Sequence, residues 1–252
     1  MNFAVCLKRV PDTTTKIKLA ANGKAIDPQG VEFAISPYDE IAIELALRLK
    51  EKAGSGEVVG ISVDPEGSDV AMRKALAIGI DKGVLVKGGV HFDSFATAQI
   101  LAGVLKDRKF DVIFFGKQAI DDDAFQVPTM VAHLLGLPRV NMCTSFEIDG
   151  TKARCKRQIE GGEESIEVSL PCVISIQKGV NGIHDKRYPS MKGIMAAKTK
   201  PLETIAAGGF EPTLELVKLE MPPERPPGKI VGKGVEAVPE LVRLLKEEAK
   251  VL

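Results

Sequence analysis

Residues 112–136 read VIFFGKQAIDDDAFQVPTMVAHLLG, and this stretch decides the expected fold. Its first four residues are apolar without alternation, as in a strand that is buried on both faces. A polar turn follows at 116–123, and residues 124–135 have the periodicity of a helix that ends at Gly136. A buried strand, a polar turn and a helix in this order are typical of one βα unit of a parallel sheet.

The same alternation recurs on both sides of this unit. Short apolar runs predict further strands at residues 3–7, 57–63, 83–87 and 172–176. Helical periodicity predicts helices at residues 37–52, 68–79 and 95–105. We therefore predict an α/β fold with a doubly wound, mainly parallel sheet of the Rossmann-like, adenine-nucleotide-binding kind. The ligand site of such a sheet lies at the carboxyl ends of its strands, where the strand order reverses.

Two segments depart from this alternation. Residues 146–169 alternate charged and apolar side chains between two turns, which predicts an antiparallel β-hairpin with one solvated face. Beyond residue 205 the chain is rich in glycine and proline, above all at 222–228, before an amphipathic helix at 239–250. We expect residues 1–205 to form the nucleotide-binding α/β domain, and 206–252 to form an extended C-terminal arm whose helix packs on a partner subunit.

The composition excludes several classes of protein. The 252 residues are 44% hydrophobic and carry 34 basic against 34 acidic side chains, so a nucleic-acid partner is not expected. With no Trp and two Tyr, the core must be aliphatic. No apolar run approaches the roughly 18 residues of a membrane span, and the apolar start at residues 3–7 lacks the preceding cations of a secretory signal.

The cysteines and histidines do not predict a metal site. Cysteines 6, 143, 155 and 172 lack paired spacing, which indicates reduced thiols in the cytoplasm, or in the mitochondrial matrix if the chain is eukaryotic. His91, His133 and His184 are far apart, and each is expected at the surface or at a helix cap. The P-loop, the G-x-G-x-x-G fingerprint and the nucleophile elbow are missing from the sequence.

Three polar loops are candidates for the walls of one cleft. They follow predicted strands or precede predicted helices, at residues 8–13, 36–39 and 116–128. Because such loops converge on one edge of a doubly wound sheet, an adenine-nucleotide cleft is plausible there, with phosphate held by free N–H groups of a helix start. The alternative for the acidic turn at 116–128 is a solvated helix cap with no ligand.

A fourth candidate is the segment 178–200, which carries six cations and the thioether of Met191. An adaptable methionine among cations suits a surface that meets acidic partner proteins. The alternative is an ordinary loop whose methionine packs into the chain's own core.

These motifs resemble the β subunits of electron transfer flavoproteins. The matching strings are VCLKRVPD at 5–12, SPYDEIAIE at 36–44, GKQAIDDD at 116–123 and RYPSMKGIMAAK at 187–198, together with the arm at 222–252. They occur in order along nearly the whole chain, and the third and fourth are highly specific.

The resemblance implies an electron carrier rather than an enzyme. A β subunit of this family pairs with an α subunit that holds most of the catalytic FAD, and itself binds a structural AMP. The heterodimer takes electrons from acyl-CoA dehydrogenases and similar flavoenzymes, as in fatty acid oxidation, and passes them to a membrane-bound quinone oxidoreductase.

The resemblance also implies site residues. The AMP contacts would be Cys6, Ser36, Pro37, Tyr38, Asp39, Val63, Gly116, Lys117, Gln118, Ala119, Ile120, Asp121, Asp122, Asp123, Ala124, Phe125, Gln126 and Val127. Thr13 and Tyr38 would lie nearest the FAD. The docking of the dehydrogenase would rest on Met191 as anchor, with Tyr188, Lys192 and Ile194 in the segment 178–200.

Two alternatives remain open at this point. Ser36 and Asp39 stand where the family commonly has Asn and Cys, and residues 125–128 partly match relatives that bifurcate electrons. Those relatives bind a second FAD where the others bind AMP. From another class, a nucleotide sensor or a hydrolase-like protein could use the same sheet, because one fold supports many functions.

Overall fold

The computed structural model describes residues 1–64, 66–88, 93–224 and 227–252. His91 and two residues of the proline-rich run, at 225–226, lie outside the described residues.

Strands and helices alternate through the first half of the chain. The strands are β1 (Phe3–Cys6), β2 (Arg9–Pro11), β3 (Phe33–Ile35), β4 (Val58–Asp64), β5 (Lys82–Lys87), β6 (Val112–Gly116), β7 (Arg139–Asp149), β8 (Lys152–Ile159), β9 (Gly162–Ser169), β10 (Cys172–Ile176) and β11 (Leu202–Ala206). The α-helices are α1 (Pro37–Ala53), α2 (Val70–Ile78), α3 (Ser94–Lys106), α4 (Val127–Leu135), α5 (Met191–Ala197) and α6 (Val238–Glu247). The predicted strands of the parallel sheet and the first three predicted helices are confirmed, with ends that differ by one or two residues.

Nine strands form one sheet in the order β11-β5-β4-β1-β6-β10-β7-β8-β9. Every pairing from β11 to β7 is parallel, and β8 and β9 add antiparallel pairings at one edge. Helices α1 and α2 pack on one face, around Ile43 and Leu76, while α3 and α4 pack on the other, around Leu101 and Val131. The fold is therefore doubly wound, as predicted.

The strand order reverses beside β1. The chain proceeds from β1 outward to β4 and β5, and it then crosses to β6 on the other side of β1. The carboxyl ends of β1 and β6 consequently flank the crevice in which a doubly wound sheet binds its ligand.

Two sequence predictions are corrected. The expected hairpin at 146–169 is a meander of three strands, because β7 begins at Arg139 and both turns contain a glycine with positive φ, Gly150 and Gly161. Helix α4 begins at Val127 rather than at residue 124, because Asp123 and Phe125 have φ of 48° and 61°, which no right-handed helix tolerates.

Part of the C-terminal arm packs against the α/β domain of the same chain. Strand β11 pairs in parallel with β5, so the sheet continues to Ala206, one residue into the expected arm. Further along, Leu216 and Leu219 line a cavity of this chain. In contrast, α6 keeps Leu241 and Val242 exposed and buries only Leu244.

Two further sequence expectations meet the structure here. All four cysteines are free thiols, as their spacing predicted, and all four are buried. His133 and His184 are at the surface, as expected. Among the described helices, none combines the length and apolarity that a membrane crossing requires.

Phe114 of β6 offers a test of the core. Its ring is fully buried and lies 5.9 Å from the ring of Phe3 and 5.2 Å from that of Phe146, measured between centroids. Phe114→Ala should lower the free energy of unfolding by about 3–5 kcal/mol in urea titrations. Phe95→Ala is the control, because that ring is 40% exposed and its loss should cost about 0.5 kcal/mol. Equal losses would contradict this account of the core.

Candidate functional site

A cavity of about 850 Å³ opens at the carboxyl edge of the sheet, beside the reversal of strand order. Its walls come from the loops after β1 and β6, the end of β4, the start of α3 and the start of α4. The sequence analysis placed three polar loops at one edge, and all three reach this cavity: those after β1 and β6 along much of their length, and the loop at 36–39 through Asp39.

The carboxylate of Asp39, in the first turn of α1, ties two walls together. One oxygen accepts the backbone N–H of Lys8 at 2.8 Å and the other accepts that of Gly116 at 2.9 Å. Burial raises the pKa of Asp39 to about 7 even though both amides favour the charged form. Burial and this carboxyl together raise the pKa of the Cys6 thiol, so Cys6 stays protonated.

Gly116 makes this approach possible. A Cβ at Gly116 would lie 2.5 Å from the Asp39 Oδ1 atom and 2.6 Å from the Tyr38 Cβ atom, distances that real side chains do not adopt. The last residue of β6 therefore has to be glycine for α1 to reach both strands.

The acidic turn is neutralised within the chain. The Lys8 ammonium lies 2.9 Å from carboxylate oxygens of both Asp121 and Asp122, while Asp123 accepts a hydrogen bond from the Gln118 amide at 2.5 Å. Although desolvation opposes it, the two aspartates raise the pKa of Lys8. The repulsion that three acids would exert on a phosphate is therefore reduced.

A second ion pair lines the cavity and was not predicted. The Arg9 guanidinium donates to Asp64 at 2.5 Å and to Glu66 at 2.5 Å, and it lies 4.1 Å from the centroid of the Phe33 ring. The side chains of Arg9 and Asp64 are 11% and 3% exposed. Only the pairing of β2 with β3, which the sequence analysis missed, brings Phe33 to this arginine.

The start of helix α4 faces the cavity. Gln126, Val127 and Pro128 line it, and no described side chain caps this helix end. The backbone N–H groups of a helix start and the positive end of its dipole suit an anion.

The predicted nucleotide contacts divide into two sets. The residues that line the cavity are Cys6, Asp39, Val63, Gly116, Lys117, Gln118, Ala119, Ile120, Asp121, Asp122, Ala124, Phe125, Gln126 and Val127. The residues that do not line it are Ser36, Pro37, Tyr38 and Asp123.

Three of the predicted residues need separate description. Ser36 is buried and its hydroxyl has no hydrogen-bond partner in the described part of the chain. The Tyr38 ring lies 4.9 Å from the Lys117 ammonium, and Lys117 itself lines the cavity. Thr13, which was expected near the flavin, lines the cavity as part of the loop after β2.

Several lining residues were not predicted, and no motif indicates them. They are Lys24, Ala25, Ile26, Ser94, Thr97, Leu101, Leu216 and Leu219. They reach the cavity through tertiary packing of the β2–β3 connection, α3 and the arm. Within the described residues, no group of three or more His, Cys, Asp or Glu could hold a metal ion.

A second candidate site is the exposed apolar patch on α5 and the residues before it. Met191 is 76% exposed, which makes the alternative of a core methionine wrong, and Met195 is 62% exposed. Tyr188 at 79% and Ile194 at 43% complete the patch, with Lys192 exposed beside Met191. Such contiguous exposed apolar side chains mark interaction surfaces.

The fold holds this patch firmly. A Cβ on Gly193 would lie 2.4 Å from the Ala77 carbonyl oxygen, so α5 packs closely on α2. The Arg73 guanidinium donates to the Ala197 carbonyl at 2.8 Å, and Lys200 donates to carbonyls at the end of α2.

Three of the six cations of segment 178–200 form ion pairs or hydrogen bonds with other residues of the chain. Arg187 pairs with Glu44 at 2.8 Å and with Glu51 at 2.5 Å, and these two glutamates raise its pKa. Lys186 pairs with Glu40, and Lys200 binds carbonyls as described above. The patch is therefore more apolar and less basic than the sequence indicated.

Fold and sites together define a class: a doubly wound α/β protein with a cavity at its strand reversal and a closely packed helix that presents an apolar patch. The model of the electron transfer flavoprotein domain matches residues 24–208. The chain is 43% identical over its whole length to electron transfer flavoprotein subunit beta of Syntrophomonas wolfei, covering 98% of that protein. It is 40% identical to the Bacillus subtilis subunit, with full coverage of both, and 34% identical to the human one, with 100% and 99% covered. The chain belongs to the electron transfer flavoprotein family, among its β subunits.

Asp39 predicts a change in the pH dependence of stability. Its pKa of about 7 in the folded chain exceeds the ordinary value of 3.8, so its contribution is full below about pH 4 and is lost as the pH rises to about 7. Over that interval the wild type should lose a few kcal/mol more unfolding free energy than Asp39→Asn, at about 1.4 kcal/mol per pKa unit. Denaturant titrations at several pH values measure this difference.

Asp69→Asn is the control for this experiment, because the Asp69 side chain is 51% exposed and does not touch the cavity. Its pH profile should run parallel to that of the wild type. Parallel profiles for wild type and Asp39→Asn would refute the raised pKa of the buried Asp39 carboxyl.

Proposed function

We propose that this chain is the β subunit of a heterodimeric electron carrier, and that its cavity binds AMP as a structural nucleotide. The single observation that carries the nucleotide is the start of α4, where Gln126 and Val127 line the cavity and no described side chain caps the helix. Mononucleotide-sized ligands bind in cavities of roughly 300–1,000 Å³, and this one has about 850 Å³.

The residues present fit an adenine nucleotide. Amides around Gln126 and Val127 would hold the phosphate, and Lys8 already offsets the charge of Asp121 and Asp122. Deeper in the cavity, Ile61, Phe115 and Leu101 provide apolar surface for a flat base.

An α subunit would hold most of the FAD, which supplies the redox chemistry when bound. This chain's part would be to shape the complex. Helix α6 leaves Leu241 and Val242 exposed, and an amphipathic helix of this kind packs into a groove on a partner. With no Trp and two Tyr, the chain itself offers few aromatic walls for a flavin.

The apolar patch around Met191 would receive the electron donor, an acyl-CoA dehydrogenase or a similar flavoenzyme. A quinone oxidoreductase would be the acceptor. The exposed thioether side chains of Met191 and Met195 can adapt their shape to a partner surface, which favours them as contacts.

A second candidate is a bifurcating β subunit with a second FAD in place of AMP. The observation that favours it is the length of the cavity, which continues from α4 past Thr13 to Lys24, Leu216 and Leu219. A nucleotide sensor or hydrolase-like protein is less favoured, because it leaves the exposed patch and α6 without a purpose.

The nucleotide content decides among these candidates. The chain copurified with its α subunit should release one FAD and one AMP per pair on denaturation, as measured by chromatography with mass spectrometry. Two FAD and no AMP would favour the bifurcating candidate. A stable flavin-free monomer that hydrolyses ATP would refute the electron carrier.

Met191→Ala tests the docking patch. It should weaken binding of the donor dehydrogenase by roughly thirtyfold, because truncating a buried interface anchor costs ~2 kcal/mol or more. Heterodimer formation and AMP content should not change. Leu134→Ala is the matched control, since Leu134 is 42% exposed on α4, outside the patch. Loss of nucleotide in Met191→Ala would show that the patch is structural.

A further inference from the structure

Residues 213–219 of the arm, called the strap below, contribute to the wall of the cavity. Leu216 and Leu219 line it, whereas their neighbours Leu214 and Val217 are 75% and 77% exposed. Leu216 is 43% exposed, so the strap adds two leucines to the cavity wall without burying both of them, and it contains no regular secondary structure.

Asp93 fastens the beginning of the strap. Its Oδ2 atom accepts three hydrogen bonds: from the backbone N–H of Thr213 at 2.6 Å, from the Thr213 hydroxyl at 2.6 Å, and from the backbone N–H of Leu214 at 2.9 Å. Desolvation opposes the charge of this carboxyl, but these donors and Ala96 lower its pKa to about 2. Hydrogen bonds to a charged acceptor are stronger than neutral ones.

The same carboxylate is part of the cavity's frame. Its Oδ1 atom accepts the N–H of Ala96 at 2.7 Å and so caps α3. Ser94 and Thr97, in the first turn of α3, line the cavity. Asp93 thus joins the strap to the wall that the strap faces.

The end of the strap has its own attachment. The backbone N–H of Leu219 donates to the Gly23 carbonyl at 2.8 Å, and Lys24 pairs with Glu215 at 3.2 Å. Both side chains of this pair are at least half exposed, so the backbone bond is the firmer of the two. The strap is therefore held at both ends. Leu216 lies between the two attachments, and Leu219 itself forms the second one through its backbone N–H.

We propose that the strap is a wall of the nucleotide site and that Asp93 is the positioning residue that holds it there. This inference rests on the proposed function, in which the cavity binds an adenine nucleotide. Because the strap supplies part of the wall that would contact the nucleotide, loosening the Asp93 attachment should speed dissociation of the nucleotide.

The experiment uses the full-length heterodimer loaded with radiolabelled AMP and chased with unlabelled AMP. Asp93→Asn keeps an oxygen for Ala96 but places an NH₂ group where the strap donates, so release should be about tenfold faster. Thr213→Val removes one of the three bonds and leaves the α3 cap intact, so its effect should be about threefold. Asp69→Asn is the matched control, because Asp69 precedes α2 and touches neither strap nor cavity.

Hydrogen exchange of the same samples reports the attachment itself. The amides of Thr213 and Leu214 should exchange faster in Asp93→Asn than in wild type, with or without AMP. Release at the wild-type rate in both Asp93→Asn and Thr213→Val would overturn the proposal that the strap is a wall of the nucleotide site. Equally fast release in Asp69→Asn would overturn it too. A wild-type heterodimer that holds no AMP would instead overturn the proposed function, and with it the strap's role as a nucleotide wall.

Discussion

The buried carboxylate of Asp39 is the constraint on which the rest of the site depends. It accepts amides from Lys8 and Gly116, which follow or end the two strands that flank the reversal of strand order. A doubly wound sheet separates its two halves at that point, and the crevice between them is the ligand site. The two hydrogen bonds to the Asp39 carboxylate, called the clamp below, fix how far apart the two sides of the crevice lie. Because Asp39 and Tyr38 of α1 lie so close to Gly116, that residue cannot carry a side chain.

The cations next to the clamp are already paired. Lys8 neutralises Asp121 and Asp122, and Arg9 is held by Asp64 and Glu66. Lys117 also lines the cavity, 4.9 Å from the centroid of the Tyr38 ring, so an anionic ligand would meet this cation and the start of α4, which no described side chain caps. Backbone donors are fixed in direction and lose little entropy on binding, which suits a nucleotide with a structural role.

The sequence predicted the parallel sheet because strands such as β6 and β10 are apolar runs, interrupted in β10 only by Ser175, and each is fully buried. It could not predict where α4 begins, since nothing in a local pattern indicates that Phe125 adopts a positive φ. The cavity was predicted through its loops, but Leu216 and Leu219 come from a stretch with no periodicity and reach it by tertiary contacts alone. The basic character of segment 178–200 was misjudged for a similar reason: Glu44 and Glu51, which pair with Arg187, are more than 130 residues away.

Helix α1 connects the two sites physically. Its first turn carries Asp39, which closes the cavity's frame, while Glu40, Glu44 and Glu51 bind Lys186 and Arg187 just before the apolar patch. Glu44 is only 4% exposed and is held by two arginines, so the pairing is a fixed part of the helix face rather than a surface contact that solvent screens. A helix of 17 residues packed on the sheet moves as a rigid element. The patch is consequently positioned relative to the same frame that shapes the cavity. Filling the cavity with a nucleotide would stabilise that frame, which gives a nucleotide without redox chemistry a physical reason to be present in an electron-carrier subunit.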